Sequence, residues 1–287
     1  MIGIVHRAKQ AAKVLLNLRR RPRPTTFEEQ VFSRVVREGD ACFDIGANVG
    51  WIALFLARTT GCAGTVVAFE PVWPTYVKMC RHIQACVNVK GTILTMPFGL
   101  AETEKSARIH VPNGRYEYAS LSRADELTNV FDDLKFTTHE CRFFSLDKFL
   151  ESTDGIAADF WKIDTEGAEL FVLQGAARHF AAGARPLILA EVYAPWQRRC
   201  GYGPWEFFAP LLGLGYRFLF LCPGGLVDHA PRESTPFPPE FEDGSNVLAY
   251  VPGRHDDRIQ DLADLRLGTG RALRTTHGPF PNRIDSP

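Results

Sequence analysis

One heptapeptide, Asp44-Ile45-Gly46-Ala47-Asn48-Val49-Gly50, limits what this chain can fold into more than any other stretch. The residues before it, Ala41-Cys42-Phe43, have the character of a buried strand. Those after it, from Trp51 to Ala57, read as an apolar helix. A strand that runs through an acid and a glycine-rich turn into a helix makes a nucleotide-type site. Glycine lets the backbone approach a ligand closely and accepts dihedrals closed to other residues, and Gly46 and Gly50 supply that freedom. Asp44 places a negative charge where a phosphate-binding loop avoids one. An acid there suits a cationic or amine-bearing ligand better than a pyrophosphate. S-adenosylmethionine, with its sulfonium and ammonium groups, is such a ligand.

Around this loop the chain alternates strands and helices. Thr26 is placed to cap a helix over residues 27–37, with Glu29 in the capping-box position. Strands are expected at 41–45, 64–69, 92–96, 106–111, 142–146, 159–163, 186–192, 216–221 and 246–251. Helices are expected at 75–86, 147–151, 168–180 and 205–212. This alternation predicts an α/β fold, a mainly parallel sheet with helices on both faces. The last two strands are joined by a Pro- and Gly-rich loop, residues 222–245, rather than by a helix, which predicts a late antiparallel strand. The polar stretch 113–133 has little periodicity, and connections of that length inside a domain are usually functional or mobile.

The expected organisation is a basic amphipathic helix in residues 1–25, one domain over 26–252, and a flexible tail over 253–287. The N-terminal helix pattern suits peripheral contact with an anionic membrane surface, or packing on the domain with its charges in water. Basic residues run through its apolar stretch, unlike a secretory signal. With 33 basic and 33 acidic residues the formal net charge is zero, so nothing points to a nucleic-acid partner. Seven dispersed cysteines make a poor disulfide or zinc framework and point to reduced thiols in a cytoplasmic setting.

Two constellations carry chemistry. Glu70 ends the strand at 64–69, where an acid hydrogen-bonds the hydroxyls of a bound ribose. The segment Lys162-Ile163-Asp164-Thr165-Glu166-Gly167-Ala168-Glu169 sets three carboxylates at a strand's carboxyl end, more than a helix cap needs. Glu191 closes a later strand at the same edge, so Asp164 and Glu191 are placed to face one another across a cleft.

DIGANVG, AFEP, SLDKF (145–149), DFWKIDTEGAELFVLQGA (159–176) and PLILAEV follow one another in the motif order of the FkbM-type methyltransferases, which this chain resembles over roughly residues 28–252. The resemblance implies the seven-stranded class I, Rossmann-like methyltransferase fold and S-adenosylmethionine as cofactor. It also implies O-methylation of a hydroxyl on a carbohydrate or secondary metabolite. Carried over by position, Asp44, Gly46, Asn48 and Gly50 would form the cofactor loop, Glu70 would take the ribose, and Phe98 or its neighbours would lie along the adenine. The carboxylates of the middle motif would border the acceptor cleft.

Methyl transfer to an alcohol needs alignment and a group to take the hydroxyl proton. Asp164 is the expected base or its orienting partner, with Glu166 and Glu191 binding acceptor hydroxyls. A competing arrangement has Asp164 and Glu191 hold Mg²⁺; the favoured one has no metal. A cofactor- or glycan-binding module without transfer remains an alternative. A nicotinamide-dependent oxidoreductase is disfavoured by the missing G-x-G-x-x-G.

Overall fold

A computed structural model of the chain describes residues 22–86, 89, 91–121, 135–153, 157–241 and 244–265. The N-terminal segment 1–21, most of the stretch 113–133 and the end of the tail lie outside these residues.

Helix α1 (Phe27–Val35) starts as expected. The Thr26 hydroxyl accepts the Glu29 amide at 3.1 Å, and the Glu29 carboxylate accepts the Thr26 amide at 3.2 Å. Its apolar stripe, Val31, Phe32 and Val35, is fully buried. Then come β1 (Ala41–Ile45), α2 (Trp51–Thr60), β2 (Thr65–Phe69), α3 (Trp73–Ala85) and β3 (Thr92–Met96). A second, three-stranded sheet follows, made of β4 (Gly99–Leu100), β5 (Lys105–Pro112) and β6 (Phe136–Phe144). The chain returns to the main sheet through α4 (Leu146–Ser152), β7 (Phe160–Ile163), α5 (Glu169–Gln174), α6 (Ala177–Ala181) and β8 (Leu187–Tyr193). It continues through α7 (Ala194–Arg199), α8 (Pro204–Gly213), β9 (Arg217–Cys222), β10 (Gly225–Asp228), β11 (Gly244–Tyr250) and α9 (Asp256–Gln260).

The main sheet runs β10-β9-β11-β8-β7-β1-β2-β3. β1 pairs in parallel with β2 and β7, while β11 runs antiparallel between β8 and β9. Seven of these strands make the expected mainly parallel sheet with one antiparallel member. The eighth, β10, forms a hairpin with β9 inside the segment expected to be loop. Neighbouring residues of the central strands serve opposite cores. Phe43 and Trp161 pack under α4 and α6, while Cys42 and Phe160 pack under α1 and α2. Strands buried on both faces read as unbroken apolar runs, which is why β1, β2 and β8 were legible.

Three expectations need correction. β6 begins at Phe136 rather than at 142, because its solvent-facing Thr137, Thr138 and Glu140 hide a strand that is covered on one side only. The single helix expected over 168–180 is two. Gly175 separates them, and a Cβ there would lie 2.1 Å from the Ala101 carbonyl oxygen. Residues 253–265 are not loose: Ile259, Leu262 and Leu265 are buried against α1, and Arg258 pairs with the buried Asp40 at 3.0 Å. Among the described residues no helix is long and apolar enough to cross a membrane.

Candidate functional site

Strand order reverses between β1 and β7, and their carboxyl ends open a crevice there, the usual ligand position in an open α/β sheet. The turn after β1 carries three left-handed residues, Gly46 (φ +86°), Asn48 (φ +49°) and Gly50 (φ +83°). Gly46 has no alternative: a Cβ on it would lie 1.8 Å from the Asp164 carbonyl oxygen, because the turn crosses the end of β7. The Gly46 and Ala47 amides donate to the Phe69 carbonyl, tying the turn to the end of β2.

Glu70 follows directly. Its two carboxylate oxygens accept the Asn48 amide at 3.0 Å and the Val72 amide at 2.8 Å, so one side chain fixes both loops. Burial pushes this carboxyl up to about 8, against the pull of the two amides. A cavity of about 240 Å³ lies in front of it. Gly46, Asn48 and Glu70 form its floor, Val72, Leu100 and Phe143 give an apolar wall, and Asp164, Thr165 and Glu166 border it on the β7 side. These residues fit a nucleoside cofactor. The bare backbone of Gly46 permits close approach, the Glu70 carboxylate suits a pair of hydroxyls, and the apolar wall suits a base.

Two expected cofactor residues are placed differently. Asp44 is 1% exposed and does not line the cavity. Strand alternation turns it to the face covered by α2, where it accepts the Ala53 amide, and burial pushes it up to about 7 while Lys162 opposes the shift. It ties the start of α2 to the end of β1, while its Oδ2 oxygen is buried without a hydrogen-bond partner. Phe98 also lies off the cavity, among Phe69, Phe144 and Phe149 at ring separations of 5.8, 4.8 and 6.2 Å. Leu100, two residues on, takes the wall position. Gly50 acts from behind, admitting Met79 of α3 to within 2.9 Å of where its Cβ would be.

The three carboxylates expected at the acceptor cleft do converge. Asp164, Glu166 and Glu191 offer oxygens that all lie within 4.8 Å of one another. Asp164 and Glu166 also line the cavity, and Glu166 holds a left-handed backbone (φ +52°) that turns the loop. Burial, then repulsion from Asp164 and Glu166, raises the Glu191 carboxyl well above the usual range. Glu169, the remaining acid of the middle motif, turns inward. It is 1% exposed and accepts the Thr165 hydroxyl at 2.8 Å, the Gly167 amide at 3.0 Å and the Tyr202 hydroxyl at 3.1 Å. It staples the loop that carries the other two acids.

Sequence reasoning left Lys162, Glu28 and Asn246 without roles. Lys162 is 1% exposed, and its Nζ lies 3.0 Å from Asp164, 3.2 Å from the Asn246 side-chain oxygen and 3.3 Å from Glu28. Burial works against its ammonium, but Asp164, Glu28 and Glu191 outweigh it and hold the proton on. A signal was present: a lysine inside the apolar strand Phe160-Trp161-Lys162-Ile163 must find a partner for its charge. Nothing local pointed to Asn246 or Glu28.

The pattern of the methyltransferase FkbM domain matches residues 44–218 of this chain. A relative, the AMB antimetabolite synthetase AmbE of Pseudomonas aeruginosa, is 28% identical over 195 residues, which take in 57% of this chain and 9% of that protein. The chain thus spans a small part of that relative's length. Among solved structures, methyltransferase FkbM from Methylobacillus flagellatus KT is 16% identical with a TM-score of 0.42, over 84% of this chain and 59% of that one. The O-methyltransferase from Bacillus cereus in complex with SAH is 13% identical with a TM-score of 0.42, over 84% and 88%.

Proposed function

The chain belongs to the FkbM methyltransferase family and uses S-adenosylmethionine, and from that premise we propose that it methylates a hydroxyl oxygen of a carbohydrate or secondary metabolite. The observation that carries this reading is the meeting of Asp164 and Glu166, which line the cavity, with Glu191, whose oxygen lies within 4.8 Å of theirs. Hydroxyl groups are weak nucleophiles until their proton is taken, and a carboxylate at a cofactor cleft is suited to take it.

Bound S-adenosylmethionine supplies an electrophilic methyl group on sulfur, a good leaving group that needs little further activation. The chain's own residues then do three things. The turn at Gly46 and Asn48, with Glu70, holds the nucleoside end and so fixes the methyl group's direction. Asp164 accepts the proton of the acceptor hydroxyl. Glu166 and Glu191 bind neighbouring hydroxyls of the acceptor.

Calorimetric titration with S-adenosylmethionine, on the wild type and on Glu70→Ala, tests the cofactor assignment. Incubation with methyl-labelled cofactor and a panel of sugars, polyols and hydroxylated metabolites tests the acceptor. An O-methyl ether in the product spectrum supports the reading. Methyl on nitrogen or carbon overturns it. Cofactor binding without transfer to any acceptor class favours the non-catalytic binding module.

A second reading places a divalent ion between Asp164 and Glu191, favoured by the closeness of their oxygens. Lys162 already sets a positive charge 3.0 Å from Asp164, which supports the metal-free form. Full turnover after exhaustive chelation is the expected result, and loss of turnover restored by Mg²⁺ would reverse the ranking.

A further inference from the structure

The mechanism above leaves a buried cation unused. A charge removed from water is costly, and an apolar residue of similar length would fill the interior of β7 as well as Lys162 does. The ammonium donates to the Asn246 side-chain oxygen on β11 and to Asp164 at the end of its own strand, and it forms an ion pair with Glu28 on α1. Of these three, Asp164 alone lines the cavity. Glu28 and Asn246 therefore anchor the ammonium from behind while it faces Asp164. Asn246 also sits opposite Glu191 in the β8–β11 register, so the same anchor borders the third member of the acid trio.

We propose that Lys162 is the positioning residue of the acceptor site: its ammonium is a built-in cation that holds Asp164 at the cavity edge and keeps the three carboxylates together. It does with a fixed side chain what a divalent ion does in other clusters of carboxylates. The proposal rests on the hydroxyl-methylation reading for what Asp164 accomplishes, but not for the placement of the cation. It accounts for three residues from distant segments, Glu28, Lys162 and Asn246, that touch no part of the cavity wall.

The test uses the full chain and two neutral variants, Lys162→Met and Lys162→Gln, with Mn²⁺ as the probe followed by electron paramagnetic resonance. Wild type is expected not to bind Mn²⁺ in the sub-millimolar range. Both variants are expected to bind it, and Lys162→Gln combined with Glu191→Gln to lose it again. Cofactor affinity should stay within about threefold, while turnover on the acceptor found by the screen falls about 100-fold with little change in acceptor KM. A residue that merely fills space would alter stability and leave the Mn²⁺ behaviour untouched. Mn²⁺ binding by the wild type overturns the proposal, as does a Lys162→Gln protein that binds no Mn²⁺ or turns over normally. If both variants fail to fold, Asn246→Ala decides, since it loosens the ammonium from outside the cavity. A roughly fivefold or greater loss of turnover at unchanged cofactor affinity supports the role, and wild-type turnover overturns it. The Mn²⁺ measurement needs no acceptor, so its outcome stands even if the hydroxyl-methylation reading fails.

Discussion

The two halves of the cleft are built by different means. The proposed cofactor half comes from two short segments, residues 46–50 and 70–72, on adjacent parallel strands, and it is made largely of backbone: left-handed turns, amides on Glu70, amides on the Phe69 carbonyl. The proposed acceptor half is made of side chains from four elements, with Glu28, Asp164, Glu191 and Asn246 brought around Lys162. A site built from turns is specified by residue types in series. A site built from buried charge is specified by which strands lie side by side.

Substitutions that strike one half and spare the other are the way to break this comparison. The largest effect is expected from Gly46→Ala, which puts a methyl into the Asp164 carbonyl and strains a left-handed turn. It should cost about 3–5 kcal/mol of folding stability in denaturant titration and damage both halves, because the turn and β7 touch there. Asp164→Asn should lower turnover about 1000-fold with unchanged cofactor affinity. Near-normal turnover would remove Asp164 from proton transfer. Glu70→Ala should do the converse, weakening cofactor binding about 100-fold in calorimetry as two amides and the ligand hydroxyls lose their acceptor.

A pH experiment sharpens the role of Glu70. Its carboxyl sits at about 8 in the fold against 4.5 as the ordinary value. Between these values the folded state holds a proton that the unfolded state releases, so stability falls as pH rises through this window and levels off above 8. Glu70→Gln should therefore show a smaller drop in melting temperature between pH 5.5 and 8 than the wild type. An identical drop would mean that the backbone amides keep Glu70 ionised throughout. The smallest effect belongs to Arg258→Ala, which removes the clasp to Asp40 far from both halves. It should cost about 2 kcal/mol of stability, as the buried Asp40 loses its counter-charge, and leave cofactor affinity and turnover unchanged.

Legibility followed the same division. Gly46, Asn48 and Glu70 line the cavity at the turn and strand end where the sequence placed them, because turn chemistry and strand ends leave local marks. Asp44 carries the same motif but turns away from the cavity, since a strand residue's face depends on alternation that the motif does not show. Phe98 itself lies off the cavity for a related reason: the short β4 that follows it starts the second sheet, and its neighbour Gly99 and then Leu100 meet the cavity. Asp164, Glu166 and Glu191 were found as a set because acids at the carboxyl ends of parallel strands share an edge. Glu169 differs from Glu166 only in that its side chain turns inward to close the loop.

What the sequence determined by itself is the alternation of the main strands and helices, the mainly parallel sheet and the left-handed glycine turn after β1, because apolar periodicity and turn residues act over a few positions. The tertiary structure alone decided that β10 extends the sheet, that residues 253–265 pack against α1, and that Lys162 meets Glu28 and Asn246. Those outcomes depend on contacts between segments as much as 230 residues apart, as in the pair Arg34–Asp264. A buried charge takes whatever partner the packed sheet brings within about 3 Å, and no local pattern records which segment that will be.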